Sequence, residues 1–229
     1  MLWRSMASVA LFSKYFVLSF SALLPVVNPF GSALMILGLV GAAPAPVYRQ
    51  LARKIAIRTT LFFAVIELVG AALLTFFGIS LPVVQVAGGL VLASMGWSLL
   101  NQQDAPTSPV QTDAAGTSFA AIEEKVFYPL TFPITVGPGC IVVMLTLSAH
   151  ASVKSIVDDV VAHLGVFGAV IALSVVVFYS YAYAPKITER VSPQTAHGIL
   201  RVIAFVLLCI GVQITSNGVQ EIVKNLLQH

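Results

Sequence analysis

In 229 residues the chain places 58% in hydrophobic side chains and 9% in charged ones, where a soluble domain carries roughly 25% charge. With a mean hydropathy of +0.96, this composition excludes a soluble globular protein and points to an all-α integral protein whose first partner is the lipid bilayer. The net charge of +3 is spread over loops, without a dense basic face or interleaved aromatics, which excludes a nucleic-acid surface.

The elements read as follows in chain order. Arg4 and the apolar run after it look like a secretory leader, but the run from Tyr15 to Val40 is too long and Lys14 falls inside it. The expectation is a retained first membrane helix over about Lys14 to Val40. It is interrupted by Asn28-Pro29-Phe30-Gly31, and Pro44 and Pro46 close it. A basic loop with Arg49, Arg53, Lys54 and Arg58 is expected next. Helix 2 then runs over about Ile55 to Phe77, about 35 Å at ~1.5 Å per residue. After the turn Gly78-Ile79-Ser80-Leu81-Pro82, helix 3 covers Val83 to Leu100. Residues 101–125 read as a flexible cytoplasmic linker. Helix 4, Val126 to Ala149, carries a second interruption at Gly137-Pro138-Gly139. Helix 5 runs over about Val161 to Ala184 up to Pro185. Helix 6 covers Ile199 to Gly218, followed by an amphipathic tail to His229.

Six spans divide into residues 1–100 and 126–229. With an odd number of spans per half, the second half enters the membrane from the opposite side, which gives a 3+3 inverted repeat with broken helices 1 and 4. Pro138 follows Pro29 by 109 residues, and Gly88-Gly89 to Gly96 in helix 3 is answered by Gly211 to Gly218 in helix 6. Eight basic residues near helix ends fall on the inner side and four on the outer side if both termini are periplasmic, so that orientation is expected.

Proline and glycine inside a membrane helix leave backbone groups unpaired where hydrocarbon offers no water. Two such breaks, one per half, point to a substrate site near the midplane. The N–H end of each second half-helix favours a carboxylate and the carbonyl end of the first favours a cation or ammonium group. The candidate substrate-binding residues are Asn28, Pro29, Gly31 and Ser32 in the first half, with Thr131, Thr135, Gly137, Pro138 and Gly139 in the second. Gln213, one turn before Asn217, is a further cavity candidate. Asn28 has a structural reading too, as the cap of the second half-helix. Glu67 is the one carboxylate deep in an apolar stretch. It is either an ion-coupling group for Na+ or H+, or a buried partner of Arg201 or Tyr181. Tyr179, Tyr181 and Tyr183 are expected to form an interfacial belt, and His150, His163 and His197 to lie near membrane edges. Cys140 and Cys209 read as two buried thiols. No spacing of Cys, His and carboxylates suggests a metal or cofactor, and no Ser-His-acid set, phosphate loop or zinc-protease motif suggests an enzyme.

The strings Asn28-Pro29-Phe30-Gly31 and Phe132-Pro133-Ile134-Thr135-Val136-Gly137-Pro138-Gly139 resemble the MarC family of bacterial inner-membrane proteins. The likeness extends through Arg201-Val202-Ile203-Ala204, Ile210-Gly211-Val212-Gln213 and Asn217-Gly218. It implies six membrane helices and an inner-membrane address. For some relatives it also implies cation-driven transport of neutral amino acids such as glycine and alanine. Carried over residue by residue, the family site would be Asn28, Pro29 and Gly31 with Thr135, Gly137, Pro138 and Gly139. Ser32-Ala33-Leu34-Met35-Ile36 lacks the proline that relatives usually have there. The expectation is a secondary transporter of a small neutral amino acid or similar metabolite; the rival is a membrane scaffold or sensor that transports nothing.

Overall fold

The computed structural model describes residues 2–41, 43–101, 126–152 and 155–228, all in helices and short connections. The expected linker at 101–125 lies outside the described residues except for Asn101. The elements are α1 (Leu2–Val27), α2 (Pro29–Val40), α3 (Ala45–Phe76), α4 (Leu81–Asn101), the irregular α5 (Val126–Thr135), α6 (Pro138–Ala151), α7 (Ile156–Ala182), the short α8 (Ala184–Arg190) and α9 (Pro193–Leu227). Five stretches are long and apolar enough to cross a bilayer: Met6–Val40, Ala45–Phe76, Leu81–Asn101, Ile156–Ala182 and Gln194–Leu227. The first of them contains the break at Asn28. The α5–α6 pair bends by 64° at its break, a geometry that suits either one interrupted span or a re-entrant loop. The protein is therefore an all-α, multi-span membrane protein.

Two boundaries correct the sequence reading. The expected basic loop is helical: α3 starts at Ala45, because Pro46 sits in the first turn, where its missing N–H costs nothing. Arg49, Arg53, Lys54 and Arg58 ride on α3, whose opening turns can send their charges toward the interface. The tail after Gly218 is no separate piece either, since α9 runs unbroken to Leu227.

The centre of the bundle is α7, which packs on α1, α2, α3, α6 and α8, while α6 touches α1, α3, α4 and α7. Their shared core includes Leu23, Ile36, Phe63, Met144, Leu173 and Val177, all fully buried. On one side of this core α4 lies along α9, and their Leu92, Leu207 and Ile214 bring buried side chains to it; glycines set how closely the two helices approach. A Cβ on Gly89 would sit 2.6 Å from the Gly211 carbonyl oxygen, and one on Gly96 would sit 2.6 Å from the Leu208 nitrogen. A Cβ on Gly218 would meet the Pro82 carbonyl oxygen at 2.6 Å. Lipid is as apolar as a protein core, so membrane helices gain from close approach, and small residues at the contact allow it.

Of the two cysteines, Cys140 is buried as expected, whereas Cys209 is exposed. The face of α9 that packs on α4 is defined by Ala204, Leu207 and Gly211, and Cys209 points elsewhere.

Candidate functional site

The first break is built by one residue. Asn28 adopts the left-handed conformation, φ 46° and ψ 62°, which a short polar side chain tolerates better than most. Its N–H donates to the Leu24 carbonyl at 3.0 Å and its carbonyl accepts from the Ser32 N–H at 2.9 Å, so it ends α1 and starts α2. Its Oδ1 accepts from the Gly31 N–H at 3.1 Å, the N-cap bond that quiets a helix's first donors. Gly31 is required by the same contact, since a Cβ there would lie 2.3 Å from the Asn28 Nδ2. That Nδ2 meets no acceptor among the described residues. Asn28 thus combines the capping role with a spare donor at the break.

The second break is longer and has an internal rhythm. Tyr128-Pro129-Leu130-Thr131 and Phe132-Pro133-Ile134-Thr135 are two successive units of aromatic, proline, aliphatic and threonine. Tyr128 and Phe132 are extended, as residues before proline prefer to be, and both aromatic–proline peptide bonds are cis. Each threonine then reaches back five residues: Thr131 Oγ1 donates to the Val126 carbonyl and Thr135 Oγ1 to the Leu130 carbonyl, each at 2.7 Å. The Val136 N–H donates to the Thr131 carbonyl at 2.8 Å. Gly137 is extended, Pro138 occupies the first turn of α6, and the Cys140 N–H donates to the Gly137 carbonyl at 3.0 Å. Phe132 stacks on Phe62 of α3 with ring centroids 5.8 Å apart.

The two breaks meet. Ser32 Oγ, in the first turn of α2, lies 3.1 Å from the Val27 carbonyl oxygen and 3.0 Å from that of Ile134. One hydroxyl therefore spans the end of α1 and the end of α5. Beside it Thr135 Oγ1 and the Tyr181 hydroxyl are 2.9 Å apart, with Ser32 next to that hydroxyl. Ser32, Thr131, Thr135 and Tyr181 are all buried. Gly139 packs against Leu92 of α4 and Val26 of α1, close enough that a Cβ would lie 2.2 Å from the leucine. Several polar groups that a break would leave open are thus already engaged: the single Ser32 O–H is shared between two carbonyls, and each threonine covers one.

The structure brings together Asn28, Pro29, Gly31 and Ser32 with Thr131, Thr135 and the start of α6. Two other candidates stand apart. Gln213 is exposed on α9 and donates to Asn217 at 2.8 Å. Glu67 pairs with neither Arg201 nor Tyr181; its Oε1 lies 2.5 Å from His163 Nδ1. His163 precedes Tyr181 by eighteen residues on α7, about 27 Å at ~1.5 Å per residue.

Tyr181 and His163 take their places in these clusters only in the structure. In a helix, positions two apart face opposite sides. Tyr179, Tyr181 and Tyr183 could not all belong to one belt: Tyr179 is exposed, Tyr181 is 1% exposed, and Tyr183 lies under Arg49 and Lys186. The pairing of His163 with Glu67, 96 residues away, had no sequence signal beyond the depth of the carboxylate.

Residues 13–223 match the MarC family of integral membrane proteins. The inner membrane protein MarC of Citrobacter koseri is 32% identical over 212 residues, which cover 88% of this chain and 92% of that protein. MarC of an Escherichia coli strain is 29% identical over 207 residues, with 88% and 92% covered. A membrane protein of the archaeon Methanocaldococcus jannaschii is 27% identical over 208 residues, with 90% and 97% covered. No solved structure matches. With the match spanning nearly its whole length, the chain belongs to the MarC family of integral membrane proteins.

Proposed function

We propose that the chain is a secondary transporter of small neutral amino acids or similar metabolites, set in the bacterial inner membrane with both termini periplasmic and driven by Na+ or H+. The observation that carries this reading is the contact between the two helix breaks through Ser32 and the Ile134 carbonyl. In the closed arrangement the hydroxyls hold the carbonyls. Parting Ser32 from Ile134 frees carbonyls for an ammonium group, beside the N-termini of α2 and α6, which attract a carboxylate. A small zwitterion matches both ends. The inner-membrane address follows the names of the bacterial relatives.

The 3+3 inverted repeat, with α5–α6 as the broken fourth span, belongs to the same proposal, and the α4–α9 contact supports it. Gly89 and Gly211 stand as far apart in sequence as Gly96 and Gly218. A two-fold axis carrying α4 onto α9 by that shift turns each contact into another. Gly89 against Thr215 becomes Gly211 against Ala93, and Gly96 against Ala204 and Leu208 becomes Gly218 against Pro82 and Val86. The crossing is antiparallel, as halves of opposite orientation require.

A second reading, a scaffold or sensor without transport, has one observation in its favour: the hydroxyls of Ser32, Thr131 and Thr135 are bonded within the protein. Uptake of labelled glycine and alanine into proteoliposomes, with sodium and proton gradients imposed separately, decides between them. Transport predicts accumulation under one gradient; folded protein that accumulates neither solute under either gradient favours the scaffold. A topology reporter at position 110 is expected on the cytoplasmic side, and a periplasmic signal there would invert the orientation.

A further inference from the structure

A separate polar cluster lies where α3, α6 and α7 converge, at the start of α7. Glu67 lies in the apolar run 65–69 of α3; its side chain is 5% exposed, and its Oε2 is buried with no hydrogen-bond partner among the described residues. Its Oε1 faces His163 Nδ1 at 2.5 Å. The opposite ring nitrogen, Nε2, lies 3.5 Å from Ser152 Oγ and 3.9 Å from Asp159 Oδ1. The His163 side chain is 28% exposed and that of Asp159 37%. The series runs inward from the more exposed Asp159, through the imidazole, to a buried carboxylate.

We infer that Glu67 and His163 form a proton-binding pair, loaded from water past Asp159, and that the proton is the coupling ion of the transporter. The coupling role rests on the transport reading; the proton site does not. A nitrogen and an oxygen at this separation need one hydrogen between them, and in the proposed pair Nδ1 carries it with Oε1 accepting. The site left for a proton from water is Nε2. Its uptake turns the pair from a net charge of −1 to neutral, and its release to water reverses the step. A lone buried negative charge is costly in a low-dielectric interior, and pairing it with a positive one lowers that cost. The loaded pair therefore favours a closed bundle, and the empty pair favours one open to water. The pair joins α3 to α7, and α7 carries Tyr181, bonded to Thr135, at the second break.

The chemistry favours a proton over sodium. A hard cation takes several oxygen ligands, but here Oε1 faces a ring nitrogen. No group of three metal-ligating side chains occurs among the described residues. Other charged and titratable groups near this end, among the described residues, are on α1, α6 and α7. Asp158 stands with Asp159 in the first turn of α7. His150 on α6 commits Nδ1 to the Thr146 carbonyl at 2.7 Å. From α1, Tyr15 donates to the His150 carbonyl at 2.7 Å and Lys14 lies over the Tyr15 ring. Lys154 lies outside the described residues.

The test has two arms. In the first, 15N-histidine NMR of the full chain in lipid nanodiscs, with His163 assigned by its loss in His163→Gln, reads the ring directly. Wild type is expected to keep Nδ1–H throughout and to gain a proton at Nε2 as pH falls; Glu67→Leu is expected to lose the Nδ1–H tautomer. A His163 ring that is the same in both proteins, or that holds its proton on Nε2 at high pH in wild type, overturns the pair. In the second, a dye inside proteoliposomes reports lumen acidification as glycine or alanine enters, and both Glu67→Leu and His163→Gln are expected to lose it. Entry with undiminished acidification in both variants overturns the coupling role while transport stands. The NMR result obtained with no uptake of either solute overturns transport and leaves the proton site standing.

Discussion

Replacing Asn28 with alanine should abolish uptake while the protein still reaches the membrane. Asn28 does two local jobs. It holds φ at 46°, which costs an ordinary L-residue about 1–2 kcal/mol, and it caps Gly31, a bond whose loss typically costs about 1 kcal/mol. Alanine loses both, and in hydrocarbon the uncapped N–H has no water to turn to. Its Nδ2, which meets no acceptor among the described residues, is also the donor most available to a substrate carboxylate. Glycine separates these contributions, because it accepts the positive φ without strain but supplies neither cap nor donor. The expected order of thermal stability in detergent is wild type, then Asn28→Gly, then Asn28→Ala, with uptake lost in both variants. Asn28→Gly transporting like wild type would reduce Asn28 to a backbone device, and undiminished uptake by Asn28→Ala would remove it from the site.

The breaks were legible because proline and glycine announce themselves in an apolar run, and Pro29 and Pro138 do fall in the first turns of α2 and α6. What the breaks look like was not legible. The tandem aromatic–proline–aliphatic–threonine units sit in plain view at 128–135, but a pattern of two repeats carries no geometry until the threonine hydroxyls are seen closing their own carbonyls. The basic stretch from Arg49 to Lys54 reads as a loop by its charge, yet α3 carries it, because a helix whose opening turns sit near the interface can hold such charges. Partners across the bundle, such as Glu67 with His163 and Thr135 with Tyr181, depend on which helix faces rotate together. No single-chain periodicity supplies that. The substrate role of Asn28, Ser32 and the second-break residues rests on the proposed function, and Gln213 is the candidate that the fold leaves apart from them.

Valine at Gly89 or Gly211 should do the largest structural damage, and the two should be equally harmful. A Cβ on Gly89 meets the Gly211 carbonyl oxygen at 2.6 Å and the Thr215 nitrogen at 2.6 Å; one on Gly211 meets the Ala93 nitrogen at 2.3 Å and the Gly89 carbonyl oxygen at 2.7 Å. These neighbours are backbone and cannot rotate away, so the helices must separate. Overpacking a core commonly costs about 1–3 kcal/mol, and prying α4 from α9 belongs at or above the top of that range. A second pair, Gly96→Val and Gly218→Val, should also match one another, since each presses on backbone of the opposite helix. Gly38 is the control: nothing lies within 4 Å of a Cβ there, so Gly38→Ala should be neutral or slightly stabilising through helix propensity. Thermal melts of all five variants in one detergent measure this. Because Gly89 and Gly211 clash at the same crossing, the double variant should lose less than the sum of the singles. Gly89 and Gly211 face one another and would match with or without an axis, whereas Gly96 and Gly218 lie at opposite ends of the contact, so their match is what an axis predicts. A severe effect at Gly96 with a mild one at Gly218 would therefore break the two-fold relation, and the inverted repeat would lose its strongest support.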